Sequence, residues 1–202
     1  MEPGNLNPLE VLAVLTSAGG TWLLARNSPL GWWIGLVGIV LYGFVFYQAR
    51  LFAEIGLQTV YFVTSLQAIY IWLHGGDKKK ERPVSRISPR WVLITLVLAA
   101  LSLWGLYELL IYLRGAVPFW DALTTIMSLV AHIYLMFRIV ENWYVWIAVN
   151  IIYIPLYASR GLYLTSGLSV AFLIMSIYGL LNFQRLYREH NRSQDRERAV
   201  PF

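Results

Sequence analysis

The chain has 202 residues, of which 58% are hydrophobic and 13% charged, with a formal net charge of +5 and no cysteine. Ordinary soluble domains carry about 25% charged residues, so this composition belongs in a membrane and leaves no length for a sizeable soluble domain. Without cysteine there is neither a disulfide framework nor a thiolate metal site, and no cofactor is expected.

Seven apolar segments occur in chain order, at 8–25, 29–49, 54–73, 91–113, 119–137, 143–159 and 162–183. Each has roughly 17–23 residues, enough for a helix to cross about 30 Å of hydrocarbon. The predicted fold class is therefore an all-α membrane protein with seven transmembrane helices in a single domain. The first segment opens at Pro8, contains Glu10 and lacks a small-residue cleavage site, so it reads as a retained span and not a signal peptide. A basic loop, 74–90, comes after the third segment, and a basic tail, 184–202, after the seventh.

Charge orients the spans. With the N-terminus outside, the inner loops and tail hold 13 of the 16 Lys and Arg, leaving only Arg50, Arg114 and Arg160 outside. That bias predicts a cytoplasmic C-terminus. The run Lys78-Lys79-Lys80 reads as a stop signal beside anionic headgroups, and no nucleic-acid partner is expected.

The segments after the basic loop echo those before it. A shift of 110 lays Trp33 on Trp143, Tyr47 on Tyr157 and Arg50 on Arg160, and one added residue brings Gly56 onto Gly167. The organisation expected is 3+1+3: a first repeat at 8–73, a linker helix at 91–113 and a second, parallel repeat at 119–183. Transporters built from such repeats hold substrate near the midplane, between the halves. In this register Leu36, Val40 and Gly43 fall opposite Trp146, Asn150 and Tyr153, so one half is apolar and the other aromatic and polar.

The sixth segment carries the chemistry. Trp143, Trp146, Asn150, Tyr153 and Tyr157 recur at steps of three and four, which places them on one helical stripe. Indole faces suit a planar or cationic guest, and an amide offers both donors and an acceptor. Trp143, at the cytoplasmic end, fits an interfacial anchor equally well. For Asn150 the rival role is an inter-helix hydrogen bond, worth about 1 kcal/mol in bundles. Pro155 is expected to kink the helix beside them.

Gln58 and Gln67 in the third segment and His132 in the fifth are further polar groups within spans. Each first reads as an inter-helix contact, and Gln58 is the one favoured for a ligand. Glu10, Glu54, Glu108 and Asp121 lie near the outer ends, so no carboxylate stands at the midplane. Ion-driven carriers keep ionisable groups deep in the membrane; their absence points to facilitated diffusion, with His132 as the one route to a proton-linked step.

These residues carry a family resemblance. Pro118-Phe119-Trp120-Asp121 leading to Glu141-Asn142-Trp143-x-x-Trp146-x-x-x-Asn150 resembles the PnuC family of bacterial vitamin transporters, as do Tyr47-Gln48, Gly56-Leu57-Gln58 and Gly161-Leu162-Tyr163. The resemblance runs over roughly residues 8 to 185. It implies a 3+1+3 fold related to the SWEET sugar transporters and a homotrimer in the bacterial inner membrane. It also implies uptake of a vitamin without ion coupling, followed by trapping through a cytoplasmic kinase. Nicotinamide riboside leads as substrate; thiamine, riboflavin and a deoxynucleoside stay open. Carried over by position, Trp143, Trp146 and Asn150 would contact the vitamin, with Gln58 across the pocket and Tyr153, Tyr157, Asp121, Gln48, Gln67 and His132 as secondary candidates. Many relatives carry Tyr-Gly-Trp near the end of the third span, where this chain has Gln67-Ala68-Ile69-Tyr70.

Other membrane classes fit less well. A retinal-binding receptor needs a lysine in its last span, and every lysine here lies at 78–80. A rhomboid-like protease needs Gly-x-Ser-Gly, and Thr165-Ser166-Gly167 lacks the first glycine. His74, His132 and His190 are too scattered for metal catalysis. An assembly protein without transport activity is the remaining alternative from a different class; it would show no stabilisation by ligand.

Overall fold

The computed structural model describes residues 8–48, 52–76, 81–114, 117–159 and 163–199. Seven helices run in chain order: α1 Pro8–Ala25, α2 Leu30–Gln48, α3 Phe52–His74, α4 Pro89–Tyr112, α5 Pro118–Met136, α6 Asn142–Ser159 and α7 Tyr163–Ala199. The first six match the predicted segments to within two residues. The seventh does not stop at 183. Its extension is rich in Arg, Gln and Glu, which are good helix formers, and no Pro intervenes before Pro201. An Arg185–Glu189 pair at 2.7 Å braces the first extra turn.

Three stretches, Pro89–Tyr112, Pro118–Met136 and Ser166–Ser193, are long and apolar enough to cross a membrane by length and composition. Val11–Ala25 and Leu30–Val45 are shorter apolar runs. The helices α3 and α6 fall below that mark because Gln58 and Gln67 in one, and Asn142 and Asn150 in the other, dilute their hydropathy.

The chain divides into two compact units, Met1–Arg82 and Pro83–Phe202. In the first, α1 lies against α2 and α2 against α3. Close approach of α1 and α2 depends on glycine. A Cβ on Gly31 would fall 2.6 Å from Leu24 Cγ and 2.7 Å from the Gly20 carbonyl oxygen, and one on Gly20 would fall 3.0 Å from that of Gly31. Backbones meet there, as small residues permit in membrane bundles. Between α2 and α3, the ring of Trp32 meets Trp72 edge-on at 5.7 Å.

In the second unit α4 packs on α5, α5 on α6, and α6 on α7. No residue of α4 is buried. Most of its apolar side chains face outward, the pattern of a helix with lipid on most sides. Val92, Ala99, Leu103, Leu106 and Leu110 form a half-buried stripe, and Tyr107 touches Phe119 of α5 edge-on at 6.2 Å. Part of the basic loop is pinned to this unit. A parallel bridge pairs Ser85 with Ile139, through Ser85 N to Arg138 O (3.1 Å) and Val140 N to Ser85 O (3.0 Å).

Each unit contains the same kind of joint. At the end of α1, Asn27 N donates to Leu24 O and Ser28 N to Leu23 O, both at 2.8–2.9 Å. At the end of α5, Arg138 N donates to Leu135 O and Ile139 N to Tyr134 O, both at 2.9 Å. Each is a Schellman turn closed by a left-handed residue, Asn27 with φ 60° and Arg138 with φ 51°. The next bonds match as well: Gly31 N to Ser28 O and Trp32 N to Pro29 O, against Asn142 N to Ile139 O and Trp143 N to Val140 O. Every pair differs by 111 in residue number.

That register corrects the shift of 110. Trp33 is 52% exposed, whereas Trp32 and Trp143 are 3% and 1% exposed, so Trp32 is the counterpart of Trp143. Trp72 and Phe183, which meet those two rings edge-on, also differ by 111, as do Gly56 and Gly167. The residues opposite Trp146, Asn150 and Tyr153 are then Gly35, Ile39 and Tyr42, replacing Leu36, Val40 and Gly43.

Candidate functional site

The Schellman turn aims the start of α6. Asn142 closes it with its side chain, Nδ2 donating to Ile139 O at 2.6 Å. Trp143 then points into the contact between α6 and α7. A Cβ on Gly179 would fall 2.6–2.7 Å from Cε2, Cδ2 and Cζ2 of its indole, so the ring lies on bare α7 backbone. Phe183 closes the seat edge-on at 5.4 Å. The side chain is thus enclosed, neither a headgroup anchor nor an open wall. Its Nε1, like Asn142 Oδ1, is buried without a hydrogen-bond partner among the described residues.

One turn deeper, Trp146 is half-buried. Asn150 is only 4% exposed, and its Nδ2 donates to the carbonyl of Trp146 at 2.8 Å. The inter-helix bond considered from sequence is replaced by a bond back to its own helix, as short polar side chains commonly make. Its Oδ1 accepts no hydrogen bond among the described residues. Asn150 therefore presents an uncommitted acceptor beside a partly open indole. Tyr153 and Tyr157, both half-buried, stack on each other at 5.0 Å. The helix runs on through Pro155 to Ser159, and Ser166 Oγ of α7 donates to Ile154 O at 2.9 Å beside it.

The remaining candidates are dispersed. Gln58 is half-buried on α3, whereas Gln67 is exposed and turned away from the interior of its unit. Gln48 is the last residue of α2, and its side chain lies outside what the structure describes. His132 is half-buried on α5. Asp121 occupies the first turn of α5, where the helix dipole favours a carboxylate. No group of three His, Cys, Asp or Glu able to hold a metal occurs among the described residues.

One functional-looking cluster was not singled out from sequence. Glu141 Oε2 accepts from Ile87 N at 3.1 Å, and Oε1 stands 3.8 Å from Arg86 Nε. The Arg86 guanidinium lies 5.5 Å over the ring of Tyr187, and Gln184 Nε2 donates to Tyr144 Oη at 2.8 Å. These contacts strap the basic loop to the α5–α6 turn and to α7. The one available signal was Glu141 itself, an acidic residue beside Arg138 in the short turn between α5 and α6.

A model of the nicotinamide mononucleotide transporter family matches residues 7–185. The chain belongs to that family. Among curated members, the nicotinamide riboside transporter PnuC of Escherichia coli K12 is 23% identical over 87% of this chain and 83% of its own length. The one from Neisseria mucosa is 28% identical over 92% and 76%. A crystal structure of the vitamin B3 transporter PnuC superposes with a TM-score of 0.72, at 24% identity, over 90% of this chain and 83% of that one. The seven-helix fold is therefore the PnuC fold, and the family is one of membrane transporters and not of enzymes.

Proposed function

We propose that the protein takes up nicotinamide riboside by facilitated diffusion, with Trp146 and Asn150 as its principal substrate contacts. The observation that carries this reading is the pairing, on one face of α6, of a partly open indole with an amide oxygen that has no donor among the described residues. A pyridinium ring carrying a carboxamide complements it: the cation lies on the indole face, and the amide N–H donates to Asn150 Oδ1. Gln58 is retained as a further contact on the strength of the resemblance.

The family model is named for the mononucleotide and the curated relatives for the riboside. Electrostatics favours the riboside. The six helices α1–α6 contain no Lys or Arg except Arg90, in the first turn of α4. A phosphate dianion entering them would have no cation to replace its water, at a cost of several kcal/mol. Alternating access then needs no ion, and a cytoplasmic kinase traps the product. A homotrimer, with its N-terminus outside the bacterial inner membrane, completes the reading.

Calorimetric titration of the purified protein with nicotinamide riboside, nicotinamide mononucleotide and thiamine tests it. Binding of the riboside with at least about tenfold preference, or 1.4 kcal/mol, is expected. Equal or tighter binding of the mononucleotide overturns it, and selective binding of thiamine moves the substrate within the same family.

A further inference from the structure

From the matched joints we infer that Trp143 is a positioning residue: it fixes the rotation of α6 against α7, and so the aim of Asn150, without touching the substrate. The inference rests on the reading of Asn150 and Trp146 as substrate contacts.

Three observations converge. First, the indole of Trp143 is 1% exposed and fills a seat floored by Gly179 and walled by Phe183. A side chain so enclosed has no face left for a ligand. Second, the same seat exists where no binding residues accompany it. Trp32 is 3% exposed, meets Trp72 edge-on, and has the small, buried Ala68 at the position matching Gly179. Yet the positions that would be Trp146 and Asn150 are Gly35 and Ile39 there. The buried indole thus accompanies the joint, whether or not a polar site comes after it.

Third, the geometry of the helix links the seat to the site. Seven residues of α-helix turn through about 700°, so Asn150 projects within about 20° of Trp143, two turns along. Any rotation that frees the indole from Gly179 swings Asn150 through the same angle. Gly179 is the sensitive part, because it lets a flat ring rest on backbone. An added methyl would meet three ring carbons at 2.6–2.7 Å, and the rigid bicyclic ring cannot fold away from it.

The test is affinity for nicotinamide riboside, read with thermal stability, on the full chain. Gly179→Ala adds no group able to bond the substrate, yet it is expected to weaken affinity at least about tenfold, as loss of one good polar contact would. Trp143→Phe alone is expected to lower Tm and keep affinity within about threefold. Combined with Gly179→Ala, it is expected to recover most of the lost affinity, because the smaller ring clears the methyl. If Gly179→Ala does not fold, Phe183→Leu decides: it takes away the ring that orients the indole, which Trp143→Phe leaves in place, and it should also weaken affinity.

Two results overturn the inference. One is Trp143→Phe costing as much affinity as Trp146→Ala. The other is Gly179→Ala, or Phe183→Leu in its place, lowering Tm with affinity unchanged. The underlying site fails separately: Trp146→Ala and Asn150→Ala would then leave riboside affinity intact.

Discussion

The joint between α1 and α2 and the joint between α5 and α6 use the same hydrogen bonds, the same left-handed residue position and the same buried tryptophan. Their helices then diverge. The first continues with Gly35 and Ile39, the second with Trp146 and Asn150. The first is drawn tight by Gly20 and Gly31 against α1, whereas the second is drawn tight by Gly179 against Trp143. One frame thus serves two tasks: close packing in one unit, presentation of polar and aromatic groups in the other.

Breaking the second joint's distinctive pair should give the largest effect. Trp146→Ala with Asn150→Ala is expected to reduce riboside affinity about a hundredfold, from one cation–π contact and one hydrogen bond; calorimetry on the double variant measures it. Next comes the tightness of the first joint. Gly31→Ala places a methyl against the Gly20 carbonyl and Leu24, and overpacking of this kind costs about 1–3 kcal/mol, visible as a fall in Tm in detergent.

A smaller change comes from making the second turn resemble the first. Position 141 is matched by Leu30, so Glu141→Leu removes the acceptor for Ile87 N and is expected to cost about 1–2 kcal/mol. Faster proteolysis within the basic loop, compared with the wild type, would report the released strap. The smallest effect sharpens the contrast between glycines. A Cβ on Gly35 meets nothing within 4 Å, so Gly35→Ala should raise stability, by up to about 1 kcal/mol of helix propensity. A fall in Tm there would show that Gly35 is not equivalent to an ordinary helix position.

Much of this was legible in the sequence. Breaks at Arg, Pro and Gly bounded six helices closely, because a short turn between membrane helices must use those residues. The end of α7 was not legible from hydropathy, since hydropathy marks where lipid stops and not where helix stops. The repeat was visible but its register was misplaced by one. Trp32 and Trp33 are equally good matches as letters, and only burial and the left-handed Asn27 tell them apart. The α6 stripe was legible as a face, but steps of three and four do not reveal which part of it a neighbouring helix covers. Hence the choice for Trp143 lay between anchor and substrate contact, and its enclosure by Gly179 and Phe183, against the half-open Trp146, was not visible. Glu141 and its strap escaped because they join stretches forty or more residues apart.

The unbroken length of α7 has a mechanical consequence. From Gly179 to Ala199 it extends about 30 Å at 1.5 Å per residue, a lever whose short arm is the tryptophan seat. Pivoting there by about 10° would carry the far end roughly 5 Å at that length, turning a slight re-seating of one ring into a displacement large enough to track with a spin label or fluorophore.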